Sequence, residues 1–128
     1  EMIATDRATL YVFEVLVSTV TYSASAILRA TPKTLEDTVT KVTAYVSSMI
    51  PTGGSIDVAV SADGGAHWEN LIQEGSGRED PLFPQFIERK YSKALQYTGS
   101  NLLFRITLNT PSSRLETPIV KRYGLYWS

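Results

Sequence analysis

The chain has 128 residues, 43% hydrophobic and 20% charged, which suffices for one hydrophobic core, so we expect residues 1–128 to form a single domain. Its 12 basic and 13 acidic residues give a net charge of -1, which argues against nucleic acid or an anionic membrane surface as a partner. The absence of cysteine and the single histidine exclude disulfides, thiolate nucleophiles and Cys- or His-cluster metal sites, so we expect no cofactor and no bound metal.

Valine, isoleucine and threonine together account for 32 residues, a quarter of the chain, and such β-branched side chains favour strands. The most apolar stretch, residues 10–20, is interrupted by Glu14 and is shorter than the roughly 20 residues that span a bilayer, so we expect no membrane insertion. The N-terminus lacks the basic and apolar regions of a signal peptide. Because Glu1 precedes the first Met, we expect an excised or processed piece of a longer polypeptide.

The first half of the chain contains three candidate strands. Residues 9–20 are apolar on both faces, which predicts a central strand. Residues 22–30 predict a second strand, with a short helix as the alternative, and residues 35–37 predict a polar turn. Residues 39–48 alternate, which predicts a strand with Val42, Ala44 and Val46 facing the core and Lys41, Thr43 and Tyr45 facing water.

The middle of the chain is rich in turn signals. Residues 51–54 and 62–65 predict turns, the second of them a tight hairpin that pairs residues 68–73 back on a strand over 55–61. Residues 74–84, with two glycines, two prolines and several charges, predict the longest loop.

Two further strands are predicted towards the C-terminus, over residues 86–91 and 102–109, followed by a turn at 111–113. Residues 119–127 predict a last strand, with Ile119, Tyr123, Leu125 and Trp127 on one side. The total of seven or eight strands, with turn signals about every 8 to 12 residues, predicts an all-β sandwich or barrel.

Residues 61–68, Ser-Ala-Asp-Gly-Gly-Ala-His-Trp, resemble the Asp-box at every patterned position. The resemblance implies a structural hairpin in which the Asp carboxylate accepts backbone N–H groups and the aromatic ring packs beneath; the matching positions are Ser61, Asp63, Gly65 and Trp68. Asp-boxes recur in sialidase propellers, but this chain holds one copy and is too short for such a propeller. The lone His67 is expected to be an exposed hairpin residue rather than a general base.

A wider resemblance covers residues 38–127. Five features follow one another in an order that resembles galactose-binding-like modules of bacteriophage tails and fibres. They are the strand at 39–46, the Pro-Gly turn, the Asp-Gly-Gly hairpin with Trp68, the run Asn-Leu-Leu-Phe-Arg-Ile-Thr-Leu at 101–108 and a final strand beginning Thr-Pro-Ile. The resemblance implies a jelly-roll β-sandwich of about eight antiparallel strands. It also implies a virion location, with a host cell-surface glycan or a neighbouring virion protein as partner and a homo-oligomer formed through the parent protein.

Under this hypothesis the chain is a non-enzymatic accessory domain of a tail, tail fibre or baseplate, and it has no catalytic residues. Sugar-stacking aromatics and a small basic cluster provide the candidate ligand-binding residues Tyr45, Tyr91 and Arg89. A purely architectural module is the alternative. A third hypothesis is a glycan-cleaving enzyme that uses acids from the stretch Glu69, Glu74, Glu79 and Asp80, which are also the only plausible Ca²⁺ ligands.

Overall fold

The computed structural model describes residues 11–12 and 21–128, and this part of the chain is built of β-strands without a helix. In the described residues, no helix is long and apolar enough to cross a membrane. The all-β prediction is confirmed. The strands are β1 (Tyr11–Val12), β2 (Thr21–Tyr22), β3 (Ser25–Arg29), β4 (Lys33–Met49), β5 (Ser55–Ser61), β6 (Glu69–Asn70), β7 (Ile72–Glu79), β8 (Ile87–Asn109) and β9 (Ile119–Trp127).

Strand β8, 23 residues long, is the centre of a seven-stranded antiparallel sheet. Strand β4 pairs with β8 along most of the stretch 87–102, β7 pairs with the N-terminal end of β8, and β3 and β5 pair with its C-terminal end. Strand β9 extends the sheet beside β4, and β6 extends it beside β5. Strands β1 and β2 pair with each other in a separate two-stranded sheet.

The two halves of the sheet close over one hydrophobic core. Phe104, on the C-terminal half of β8, packs against Tyr123 of β9, with ring centroids 5.2 Å apart. Because β9 lies beside β4 in the other half, this contact joins the two halves face to face in a sandwich-like arrangement. The fully buried aliphatic side chains of the core come from both halves and include Val42, Val46, Leu102, Ile106, Leu108 and Leu125.

Gly99 allows the hairpin after β5 to lie directly on β8. A Cβ atom at this position would collide with the carbonyl oxygen of Ala62. That same carbonyl accepts a hydrogen bond from the backbone N–H of Asn101, at 3.0 Å. The absence of a side chain at Gly99 therefore allows the hairpin after β5 to approach the central strand this closely.

The N-terminal predictions have mixed outcomes. The central strand predicted over 9–20 lies outside the described residues except for Tyr11–Val12. The strand predicted over 22–30 is confirmed by β3, and the helical alternative is wrong. The polar turn predicted at 35–37 is also wrong, because β4 runs through it and absorbs the irregularity in register shifts on both sides of Val39.

The long loop predicted over 74–84 is wrong, because β7 pairs with β8 as far as Glu79. The two glycines form a bulge: Gly75 and Gly77 have φ angles of 71° and 84°, and the register shifts between Glu74 and Arg78. The real loop is 80–86. Turn-forming residues thus mark a bulge within a strand here rather than the end of one.

Two other strand predictions need correction in detail. The hairpin partner of β5 is shorter than predicted, since only Glu69–Asn70 pairs with it before the chain crosses to β8. In β9 the register shifts between the pairs Ser47–Arg122 and Ser48–Val120. Because of this bulge Val120 is buried with Tyr123 and Leu125, whereas Ile119, which was predicted on the same side as those two, is only half-buried.

Candidate functional site

The outer face of β7, β8, β4 and β9 carries a concavity of about 690 Å³, which we call the outer groove. Cross-strand register builds it in rows, because directly paired residues of neighbouring strands point to the same face. One row holds Lys90 and Tyr45 beside Gly124, and the next holds Arg78, Glu88, Ser47 and Arg122. The side chains that give the outer groove its chemistry are Tyr45, Tyr126, Arg78, Lys90, Glu88 and Arg122.

Two tyrosines provide the apolar surface of the outer groove. Tyr45 and Tyr126 are 36% and 51% exposed and meet edge to face, with ring centroids 5.8 Å apart and planes at 84°. Gly124 pairs with Tyr45 and contributes no side chain to that row, which leaves open space beside the ring. Aromatic faces next to open space are surfaces on which a flat apolar ligand face can stack.

Ion pairs surround the tyrosines. Arg78 contacts Glu88 through Nε and Nη2, both at 3.0 Å. Lys90 Nζ lies 3.8 Å from Glu74 Oε2, and Glu74 also accepts a hydrogen bond from the Ser92 hydroxyl. This hydroxyl, and then the charge of Lys90, outweigh burial and hold the pKa of Glu74 below its ordinary value. Both carboxylates therefore have a cation beside them.

A third ion pair, between Arg122 and Asp80, lies beneath one end of the outer groove. Asp80 is fully buried and accepts hydrogen bonds from Arg122 Nε and Nη2, at 3.0 and 3.1 Å, and from the hydroxyl of Ser47. Its Oδ1, which is the acceptor of the Arg122 Nη2 bond, also accepts the backbone N–H groups of Leu82 and Phe83. Burial alone would raise the pKa of Asp80, but these donors together lower it. Arg122 is thereby fixed in the groove wall.

The predicted ligand-binding residues do not come together. Tyr45 lies in the outer groove, whereas Tyr91 faces the core and is only 5% exposed, and this burial raises the pKa of its hydroxyl. Arg89 lies on the same core-facing side of β8, where it donates a hydrogen bond to Ser48 Oγ at 3.2 Å. Strand alternation is the reason: in the sequence Arg89-Lys90-Tyr91 only Lys90 points into the groove. Tyr91 and Arg89 are therefore withdrawn as ligand contacts.

The four predicted acids also have separate environments. Glu74 borders the outer groove, and Glu79 is exposed opposite Ile87. Glu69 is buried and accepts backbone N–H groups of β8, while Asp80 is engaged as described. Among the described residues there is no group of three or more acidic or histidine side chains that could hold a metal ion.

The Asp-box residues form a connected hairpin. Asp63 Oδ1 accepts the backbone N–H of His67 at 2.9 Å and the hydroxyl of Ser61 at 2.8 Å, while Ser61 Oγ accepts the N–H of Gly65. Asp63 Oδ2 lies 2.7 Å from His67 Nδ1. Trp68 packs under the guanidinium of Arg105, 4.1 Å from ring centroid to Cζ. These bonds hold the turn closed.

We expect Asp63→Asn to loosen this hairpin at neutral pH. The backbone N–H and then the side chain of His67 lower the pKa of Asp63 from 3.8 to about 2, so its carboxylate stays ionised in the folded chain. Because a lowered pKa stabilises only above the unfolded value, the contribution is full above about pH 4 and disappears as the pH falls through 2. Amide exchange of Gly65 and His67 measured by NMR should accelerate in the variant, and Asp37→Asn should leave it unchanged.

Sequence reasoning missed most of the outer groove. Tyr126, Glu88 and Arg122 come from strands whose pairing with β4 is not visible in the sequence. The available signal was alternation, which places Tyr126 and Arg122 on the same face of β9. The pairing register between β4 and β9, which the sequence does not show, places that face beside Tyr45.

Comparisons with family models, with curated proteins and with solved structures return no match for this chain.

Proposed function

We propose that this chain is a non-enzymatic carbohydrate-binding module of a phage virion protein, and that the outer groove binds a host surface glycan. The observation that carries the proposal is the pair of exposed rings, Tyr45 and Tyr126, set among charged side chains in one concavity. Sugar rings offer an apolar face and a rim of hydroxyls, and this arrangement provides a partner for each. The virion setting is supported by the resemblance of residues 38–127 to phage tail and fibre modules.

The charges of the outer groove favour hydroxyl groups over a polyanion as the polar partner. Three cations and three carboxylates form its ion pairs, so the paired charges cancel; they are Arg78, Lys90 and Arg122 with Glu88, Glu74 and Asp80. Where the carboxylate is accessible, as in the pairs of Arg78 with Glu88 and Lys90 with Glu74, the pair presents both N–H donors and oxygen acceptors, which is what neighbouring sugar hydroxyls need. We therefore favour a neutral glycan whose binding depends little on salt.

The acids of the outer groove do not favour glycan cleavage. A glycosidase needs one carboxyl that is protonated near its working pH, which requires a raised pKa. Glu74 has a lowered pKa, and Glu88 is held 3.0 Å from Arg78. These environments support a binding site rather than a pair of general acid and base.

We expect Tyr126→Ala to weaken glycan binding by at least about tenfold, because truncating a central aromatic contact usually costs more than ~1.4 kcal/mol. The measurement uses the full chain on an array of host envelope polysaccharides, followed by calorimetry with the best ligand. Tyr97→Ala is the matched control, since Tyr97 is 39% exposed but stacks on His67 away from the groove.

Two results would count against the groove. Failure of the wild-type chain to bind any host polysaccharide would remove the carbohydrate proposal, and an equal loss with Tyr97→Ala would remove the assignment to the outer groove. Self-association or capture of a neighbouring virion protein, without glycan binding, would support the architectural alternative. Leu82 favours that alternative, since it is 66% exposed at the tip of a loop that Asp80 holds in place.

A further inference from the structure

A pair of arginines lies on the solvent face of the other half of the sheet. Arg29 of β3 and Arg105 of β8 are directly paired in the register, so their side chains leave the same face in adjacent positions. Arg29 is exposed and Arg105 half-buried. Like charges in directly opposed positions repel each other, so this pair weakens the sheet unless something lies between them.

Neither arginine has an acidic partner among the described residues. Arg78 and Arg122, by contrast, each contact a carboxylate. The acid in the next row of this face, Asp57, accepts a hydrogen bond from Asn109 Nδ2 at 2.9 Å and forms no ion pair with either arginine. Within residues 11–12 and 21–128, the N–H donors of both guanidinium groups thus have no hydrogen-bond acceptor.

Trp68 holds one of the two guanidinium groups in place. Arg105 Cζ lies 4.1 Å from the centroid of the Trp68 ring, in a cation–π contact. The Asp-box hairpin positions Trp68, so Arg105 is ordered before any ligand arrives. Stacking occupies the face of the guanidinium and leaves its edge, which carries the N–H donors, free for an acceptor.

We propose that Arg29 and Arg105 form a binding site for a phosphate group, either free or carried as an ester on a sugar. A tetrahedral oxyanion has enough oxygens to accept hydrogen bonds from two guanidinium groups at once, and its charge removes their repulsion. The site shares no residue with the outer groove and does not depend on the function proposed for it. It also gives the Asp-box hairpin a role in binding, through Trp68.

The test compares thermal unfolding of the full chain in sodium phosphate and in sodium chloride of equal ionic strength. Phosphate also stabilises proteins through exclusion from their surface, so the informative quantity is the difference between variants. Wild-type chain should show a rise in Tm with phosphate beyond that of the variant Arg29→Gln. The variant should in addition unfold at a higher temperature than wild type in chloride, because the repulsion is gone.

Arg114→Gln is the charge-matched control, since Arg114 is exposed and has no acidic partner among the described residues. It should keep the full response to phosphate. Direct titration followed by tryptophan fluorescence should show at least about tenfold weaker phosphate binding for Arg29→Gln and for Arg105→Gln, since each substitution removes a charge-assisted hydrogen-bond donor. The response should vanish in Trp68→Phe, which retains Trp127.

Titration with glucose 1-phosphate, inorganic phosphate and glucose distinguishes the sources of the phosphate group. Tighter binding of the sugar phosphate identifies an ester, and equal binding of both phosphates identifies the free anion. The proposal is overturned if wild type and Arg29→Gln respond equally to phosphate, or if neither phosphate compound changes the fluorescence beyond the chloride control. A failure here leaves the groove proposal intact, because the glycan test uses other residues.

Discussion

Replacing Asp80 by asparagine should lower the free energy of unfolding by about 3 kcal/mol. The wild-type carboxylate is fully buried and accepts hydrogen bonds from Arg122, Ser47 and the backbone of the loop that follows it. An amide keeps the oxygen that caps the loop but removes the negative charge, so the carboxylate that remains near Arg122 is that of Glu88, 3.9 Å from Nη2. Arg122 is 31% exposed and recovers part of its hydration in the variant. We therefore expect the loss of unfolding free energy to lie at the low end of the range for breaking a buried ion pair.

Urea denaturation at several pH values measures this effect. The pKa of Asp80 is lowered in the folded chain, so its stabilising contribution is present above the ordinary Asp value near 4 and is lost as the pH falls below it. The difference between wild type and Asp80→Asn should therefore narrow below about pH 4. Asp37→Asn, at an exposed position, is the control and should stay within about 0.5 kcal/mol of wild type. A difference that is constant down to pH 2 would contradict the assignment.

The Asp80 cluster connects stability to the outer groove. Ser47 and Arg122 are neighbours in one cross-strand row, and Asp80 binds both from the loop that crosses the end of that row. The same loop places Phe83 near Arg122, with 6.0 Å between the ring centroid and Cζ. The wall of the proposed glycan site is thus set by a buried carboxylate that never contacts the ligand.

Alternation predicted the core well where a strand is regular. Val42, Ala44 and Val46 are fully buried as expected, while Lys41 and Tyr45 are exposed. The predictions failed where a strand is irregular, because bulges and turns contain the same types of residue and the sequence does not distinguish them. Gly75 and Gly77 formed a bulge inside β7 rather than a loop.

The candidate site was less predictable than the core for a physical reason. Its residues come from four strands, and the neighbours of β4 in this set depend on its pairing with β8 and β9, which lie about 40 to 80 residues further along the chain. Tyr91 lies beside a basic cluster in the sequence, but a shift of one residue along a strand moves a side chain to the opposite face of the sheet. The Asp-box hairpin, by contrast, is local, and its four matched positions form one hydrogen-bonded and packed unit.

The carboxylate of Glu69 supplies hydrogen-bond acceptors at a point where β8 lacks a neighbouring strand in β4. Between Ala94 and Gly99 the central strand β8 has no paired residue in β4. There the carboxylate of Glu69 accepts the backbone N–H groups of Gln96 and Tyr97, both at 3.0 Å, and lies 3.3 Å from Lys93 Nζ. Burial opposes ionisation, but these three donors hold the pKa of Glu69 below its ordinary value.

We expect Glu69→Ala to lower the free energy of unfolding by about 2–4 kcal/mol, because two N–H groups lose their acceptor and each such loss costs about 1–3 kcal/mol. Urea denaturation measures the total loss of stability, and amide exchange of Gln96 and Tyr97 shows whether the loss arises at this part of β8. Glu79→Ala is the matched control: Glu79 is also in a strand but is exposed, and its loss should change stability by less than about 0.5 kcal/mol. Unchanged exchange at Gln96 and Tyr97 in Glu69→Ala would show that the carboxylate does not support this part of β8. Faster exchange confined to these two amides would show that a single side chain completes the hydrogen bonding of the central strand where its neighbour departs.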